Sequence, residues 1–444
     1  MNAGRFQDLR HAKRLRQVLQ ALSEHPEGSV PQATKTDAES QSIYRFWSNP
    51  QVSAEQISQS HRDGVIRRAG NCQTVLAIQD TTEFCFANRP QTEGLGFINQ
   101  SHKQGIKVHS CLAVSGEGEP LGLLHQHRWV REQRSGKKAQ RKQLPIEQKE
   151  SYRWLTTLIA AEQGMPASVP LVHIGDREAD IFELFAQPRA PQSELLIRAE
   201  HNRKVKHELD YLLPTIEQAP VLGQTTLRLA RNPKRPARDA QLSVKTMQVT
   251  LEVPYRKDSR KLEPVAINAI LVEETAAPAG QSPVRWLLLT TLPIETFEDV
   301  WPCVVWYSYR WLIERFHFTL KSGCRFEALQ LQTCERLVKA LATYSIVAWR
   351  LMWLHHQARA RPDDSCQTVL APHEWQLLRR RFEPKSRSRK PPTLRQALRW
   401  MAQLGGFRAR KGDGEPGLKT LWRGLMKFHT LLEGAQLASE TYAP

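Results

Sequence analysis

The sequence predicts an α/β fold that carries an antiparallel β insertion and is flanked by helical N- and C-terminal regions. Three observations predict it. Runs rich in aliphatic and β-branched residues stand at 74–79 (T-V-L-A-I-Q), 107–114 (K-V-H-S-C-L-A-V) and 121–129 (L-G-L-L-H-Q-H-R-W), and such runs read as strands. The run V-P-L-V-H-I-G-D passes directly into R-E-A-D-I-F-E-L-F, a strand-to-helix step that belongs to α/β architecture. Helical periodicity governs the chain before about residue 60 and again from about residue 296.

Residues 1–60 read as a helical, basic region. Leu15, Val18, Leu19 and Leu22 recur at helical spacing, with Arg10, Arg14 and Arg16 around them on either a solvated or a ligand-binding face. The central region, 61–360, holds these strands, a helix near 147–163 and a further strand at 194–199. The basic segment R-E-Q-R-S-G-K-K-A-Q-R-K precedes that helix. Between about 203 and 285 proline and charge become frequent, and alternating runs at 246–253 and 266–272 mark the antiparallel insertion, with R-L-A-R-N-P-K-R-P-A-R as a basic loop inside it. A strand returns at 286–291, and Pro302 calls for either a late start or a kink in the helix beyond it. The apolar helix 334–359 reads as core. Residues 361–444 form a further helical unit with helices near 393–404 and 417–435. Its segment R-R-R-F-E-P-K-S-R-S-R-K-P-P is too basic and proline-rich to pack. The face Leu394, Leu398, Met401 and Leu404, edged by Trp400, is too large for that unit to bury alone, so it either dimerises or docks in cis.

The chain has 444 residues, 40% of them apolar, enough for a sizeable core. Its 63 Lys and Arg against 45 Asp and Glu leave a formal charge of +18, which favours a polyanionic partner. No run of 18 apolar residues and no apolar signal-peptide core is visible, so nucleic acid is expected ahead of a membrane surface. Seven cysteines without a C-x-x-C pair point to a reducing, cytoplasmic setting and away from zinc ribbons or a disulfide framework.

Chemistry concentrates in Y-S-Y-R-W-L-I-E-R-F-H-F-T-L-K. On a continuous α-helix Tyr307, Arg310, Glu314 and Lys321 would fall within roughly 60° of one face along about 21 Å of axis. Cations and a phenol suit phosphate oxygens, and a carboxylate between them suits a metal ion at the bond to be cut. Glu314 beside Arg310 can also be read as an ordinary i, i+4 ion pair. Asp80 closes L-A-I-Q-D and Asp176 closes V-H-I-G-D, each at an expected strand end. There a carboxylate either caps a turn or faces the ligand crevice of an α/β sheet. Converging with Glu314, the two aspartates would make an all-oxygen site for one or two Mg²⁺ ions.

Q-D-T-T at 79–82, G-D-R-E-A-D-I at 175–181 and Y-x-x-R-x-x-x-E-x-x-x-x-x-x-K at 307–321 together resemble the insertion-sequence-four group of bacterial cut-and-paste DDE transposases, in the branch typified by the Tn-five transposase. Supporting segments are I-Y-R-F-W-S-N-P-Q-V-S-A-E at 43–55, L-G-L-L-H-Q at 121–126 and W-L-L-L-T at 286–290. The resemblance implies an RNase H-like catalytic core over 61–360, a DNA-binding region over 1–60 and a dimerisation domain over 361–444. It assigns Asp80, Asp176 and Glu314 to metal binding, with Mg²⁺ (two ions, Mn²⁺ as substitute) as cofactor. Tyr307, Arg310 and Lys321 would hold phosphates, and Arg198, Arg14 and Arg45 would contact double-stranded DNA. Trp286 would stack on a flipped base, where the residues alone favour a core aromatic.

The implied reaction nicks one strand at a transposon end, closes and reopens a hairpin, and joins the 3′-end to target DNA within a homodimer. The resemblance also implies that much of the first N-terminal helix is missing, and shortened forms in the family can act as inhibitors. Arg315 stands where the family has an acidic residue and Phe318 where it has a basic one. Two other readings stay beside the transposase: a nuclease of the same fold with a different DNA substrate, and a DNA-binding regulator that forms inactive dimers.

Overall fold

The computed structural model describes residues 5–86, 91–99, 103–132, 144–229, 237–255 and 262–441. Most of the two basic segments at 131–142 and 228–238 lies outside the described residues. The strands are β1 (Val75–Cys85), β2 (Gly96–Phe97), β3 (Gln104–Ser115), β4 (Pro120–Trp129), β5 (Leu171–Gly175), β6 (Ser193–Arg198), β7 (Val221–Leu229), β8 (Arg238–Leu251), β9 (Val265–Glu274) and β10 (Arg285–Thr290). They form one mixed sheet in the order β2-β3-β1-β5-β6-β10-β9-β8-β7, with β4 also paired to β3. β1 runs antiparallel to β3 and parallel to β5, and β5 runs parallel to β6. Strands β7 to β9 extend this sheet through β10, so the antiparallel insertion is continuous with the core.

The helices are α1 (Leu9–Glu24), α2 (Asp37–Ser48), α3 (Ala54–Ala69), α4 (Tyr152–Glu162), α5 (Phe182–Ala186), α6 (Leu212–Gln218), α7 (Phe297–Ser308), α8 (Trp311–Phe318), α9 (Cys334–Ala360), α10 (Pro372–Phe382), α11 (Leu394–Leu404) and α12 (Leu418–Thr441). Leu15, Val18, Leu19 and Leu22 are buried as the α1 periodicity requires, while Arg10, Arg14 and Arg16 face solvent. Helix α9 is the hub. It holds α2 through Trp47 Nε1 donating to Thr343 Oγ1 at 3.2 Å and Lys339 Nζ donating to the Asn49 carbonyl at 2.9 Å. On the sheet side, Ser345 Oγ donates to Gln126 Oε1 at 3.1 Å and Trp349 Nε1 to the Pro120 carbonyl at 2.8 Å. By length and composition α9 could cross a membrane, but 72% of its most apolar window is buried inside the protein.

One expectation is overturned and two sets of alternatives are narrowed. Helix α7 begins at Phe297, capped by Thr296 and Asp299, and runs through Pro302 rather than starting after it. The basic stretch after residue 378 does pack in part. Arg379 lies at the end of α10, with its guanidinium over the Trp375 ring and Nη1 donating to the Ser388 carbonyl at 2.7 Å. The apolar face of α11 is covered within the chain: Leu394, Leu398, Trp400 and Met401 share a buried cluster with Leu378, Leu421 and Phe428.

Candidate active site

Asp80 does not end its strand. β1 continues to Cys85 because β3 pairs with it along that whole length, Asp80 facing Ser110. The parallel partner is what ends: β5 pairs with β1 only from Val75 to Ile78. Past that point one side of β1 has no neighbouring strand, and the crevice expected at a strand terminus opens beside Asp80. Asp176 follows the last residue of β5. Its Oδ1 accepts from the Glu178 backbone N–H at 2.9 Å and so caps the 3-10 turn Arg177–Ala179. That turn lies tight on the strand: a Cβ on Gly175 would stand 2.4 Å from the Ala179 Cβ, so glycine is what allows the chain to fold back there.

The third carboxylate comes from a segment that is not the single α-helix its spacing predicts. α7 stops at Ser308, and Tyr309 and Arg310 turn with i→i+3 bonds to Trp306 and Tyr307. α8 follows, then a π-helical turn spans Thr319–Gly323, closed by the Cys324 N–H on the Thr319 carbonyl at 2.8 Å. The straight-helix stripe is therefore rewound in two places. Arg310 and Glu314 still gather with the aspartates, as the electrostatics of Asp80 record, and Tyr307 lies near enough to feel the charge of Asp176. Burial, then the charge of Asp176, push the Asp80 carboxyl up to about 7, with Glu314 adding to the rise. The Thr81 backbone N–H and Arg310 oppose it.

Each carboxylate faces a protein donor. Asp80 Oδ1 accepts from the Thr81 N–H at 2.8 Å, Asp176 caps its turn, and Arg310 pairs with Glu314, whose side chain is 55% exposed. Among the described residues no three His, Cys, Asp or Glu side chains stand close enough together to enclose a cation in this arrangement.

Tyr307 is 4% exposed, and its hydroxyl has no hydrogen-bond partner at normal distance. Burial raises its pKa, while Arg310 and Arg198, both near, pull it back. Trp286 on β10 meets the Tyr307 ring edge-on at 5.1 Å and is half-buried, so it is neither a core aromatic nor free. Arg198 closes β6 and donates to the Arg285 carbonyl at 3.2 Å. Lys321 Nζ lies 5.6 Å over the Phe84 ring, four residues beyond Asp80 on the same strand. Arg14 and Arg45 are exposed on α1 and α2, outside this group.

Two residues at the site escape a sequence reading. His317 is buried with Nδ1 3.7 Å from Asp80 Oδ2 and Nε2 unpartnered, and burial holds its pKa down at about 3. The spacing Glu314-x-x-His317 places both on one helical face and is the signal that could have found it. Arg153 on α4 reaches the segments of both aspartates, and nothing in S-Y-R-W-L marks it.

Two segments of the chain match known family models. Residues 1–52 match a transposase DNA-binding domain, and residues 346–443 match the Tn5 transposase dimerisation domain. Together these matches indicate a transposase. They also support DNA and a second copy of the chain as partners. The carboxylate crevice lies in the part of the transposase between the two matched segments, where function rests on the residues themselves.

Proposed function

We propose that this transposase is a DDE enzyme of the insertion-sequence-four group. It would cut DNA at transposon ends through a hairpin intermediate and join the freed 3′-ends to target DNA. The observation that carries the reading is the state of Asp80. A largely buried carboxyl pressed by Asp176 and Glu314, and relieved first by the Thr81 backbone N–H and then by Arg310, is part of an all-oxygen donor set short of positive charge. Asp80, Asp176 and Glu314 would hold Mg²⁺, with Mn²⁺ as a substitute. When bound, such ions supply Lewis-acid stabilisation of the charge that builds on the scissile phosphate.

The chain's own groups do the rest. Arg310 and Lys321 hold phosphate oxygens, and the unpartnered Tyr307 hydroxyl is a donor placed for a third. Trp286 presents a half-buried indole to an unstacked base. The strand order β4-β3-β1-β5-β6, antiparallel up to β1 and parallel beyond it, supports an RNase H-like core for this chemistry. The seven unpaired cysteines accord with the cytoplasmic setting that belongs to this reading.

The test incubates the purified protein with linear DNA bearing the element's own ends, with Mg²⁺ and with chelator. Hairpin and blunt-ended products that require Mg²⁺ are expected. DNA binding without cleavage would replace the proposal with a regulator that forms inactive dimers. Cleavage indifferent to the end sequence would replace it with a nuclease.

A further inference from the structure

A chain of buried polar groups runs beneath the carboxylate crevice across four strands, and Arg153 stands at its head. The guanidinium donates through Nε to Thr81 Oγ1 at 2.9 Å, through Nη2 to Glu178 Oε2 at 2.7 Å and through Nη1 to the Glu150 carbonyl at 2.8 Å. Thr81 follows Asp80, and Glu178 donates the backbone N–H that Asp176 caps. One planar fork thus ties the strand of the first aspartate to the turn of the second. Arg153's side chain is 11% exposed, and both Asp80 and Asp176 act on it electrostatically.

Because a guanidinium only donates, Thr81 Oγ1 accepts from Arg153 and keeps its own hydrogen to give. His109, buried and neutral, faces the Gln79 amide oxygen through Nε2 at 3.1 Å, so Nε2 carries the proton and donates. His109 Nδ1 is then an acceptor, and the Thr81 hydrogen goes to it at 2.8 Å. The Gln79 amide donates to His173 Nδ1 at 3.3 Å, and His173 Nε2 donates to Ser193 Oγ at 3.1 Å. The chain crosses β3, β1, β5 and β6 with a donor and an acceptor at each link. A buried network satisfied in this way holds its members in one arrangement.

We propose that Arg153 is a positioning residue: its guanidinium sets the spacing of Asp80 and Asp176 by stapling Thr81 to Glu178, and it orients the polar chain through Thr81. The proposal rests on reading the two aspartates as cation ligands. Arg153→Lys keeps the charge and loses the fork, and Arg153→Met loses both.

Two measurements on the full-length protein test it. In the first, Mn²⁺ is titrated against thermal stability, with Asp80→Asn as the ligand-loss control. Both Arg153 variants should need about tenfold more Mn²⁺ or beyond for the same stabilisation, as loss of an outer-shell partner usually costs, while DNA-end binding in gel shift stays within about twofold. An unchanged Mn²⁺ requirement in both variants would overturn the proposal. In the second, ¹⁵N-histidine spectra should show His109 and His173 as Nε2–H tautomers. Arg153→Met and Thr81→Val should each shift or average the His109 signals. Unaltered His109 signals in Arg153→Met would also overturn it. If wild-type protein ignores Mn²⁺ as Asp80→Asn does, the cation-ligand reading has failed, and the spectra alone decide the staple.

Discussion

At the scale of single residues, the site is defined by groups whose partners are incomplete or mutually repulsive. Asp80, Asp176 and Glu314 come from three separate elements and do not support one another. Replacing any one with alanine should abolish DNA cleavage, to below about one part in a thousand of wild type, the scale on which loss of a central electrostatic group is felt. DNA binding in gel shift should survive, because these groups repel phosphate. Cleavage by any of the three variants would end the assignment. Tyr307 offers a test of opposite signs. Its buried hydroxyl makes no hydrogen bond of normal length, with Arg198 only at the edge of reach, and an unmade bond of that kind costs about 1–3 kcal/mol. Tyr307→Phe should therefore leave the DNA-free protein as stable or more stable, while slowing cleavage if the hydroxyl holds a phosphate oxygen. A variant that is both less stable and fully active would show the hydroxyl to be structural.

At the scale of elements, legibility depended on whether local pattern or tertiary contact decided the outcome. Strands β3, β5 and β10 and helices α1, α9 and α11 follow their periodicity closely, because each buries one apolar set. The site was legible as residue types more than as geometry. Y-S-Y-R contains no helix breaker, yet the helix breaks there, with the Tyr309 ring lying against the turn at Gly118. The π-turn at Thr319–Gly323 packs on Trp422 of α12, a contact with no local signature. Arg153 was invisible for the same reason: the two partners that tie it to the site are 72 and 25 residues away in sequence.

Close helix packing in the C-terminal unit makes the element-scale prediction. A Cβ on Gly424 of α12 would stand 1.8 Å from the Met401 carbonyl oxygen on α11, whereas one on Gly434 would meet nothing within 4 Å. Gly424→Ala should cost about 1–3 kcal/mol or more through overpacking, open the α11–α12 contact to limited proteolysis and weaken assembly on DNA. Gly434→Ala should be slightly stabilising, by about 0.5–1 kcal/mol, since it replaces glycine inside an exposed helix. Equal behaviour of the two variants in proteolysis would contradict the packing.

At the scale of the whole molecule, the buried titratable groups set how stability follows pH. His61, His109 and His173 are buried and neutral; burial holds His61 and His173 at about 3, and drives His109 well below its ordinary value. The unfolded chain takes up protons near the ordinary histidine value of about 6.5, before the folded protein does. Between those values the unfolded state binds more protons, so the contribution is whole above about pH 6.5 and lost as pH falls. Each group should cost about 1.3 kcal/mol between pH 7 and 5.5, or about 4 kcal/mol for the three. Asp80 acts in the opposite sense in metal-free protein. Its folded value near 7 lies above the ordinary carboxyl value, so the folded state holds the extra proton and its contribution grows as pH falls from 7. That offset is about 2 kcal/mol over the same interval. His317 and His355, also held at about 3, add to the loss in the same sense, so the net expectation, read by urea denaturation with chelator present, is a metal-free protein less stable at pH 5.5 than at pH 7 by at least about 2 kcal/mol. Asp80→Asn removes the opposing group and should steepen that loss, whereas His61→Gln should make it shallower. Wild-type stability that is flat or rising toward pH 5.5 would show that these histidines are not held neutral in the folded core.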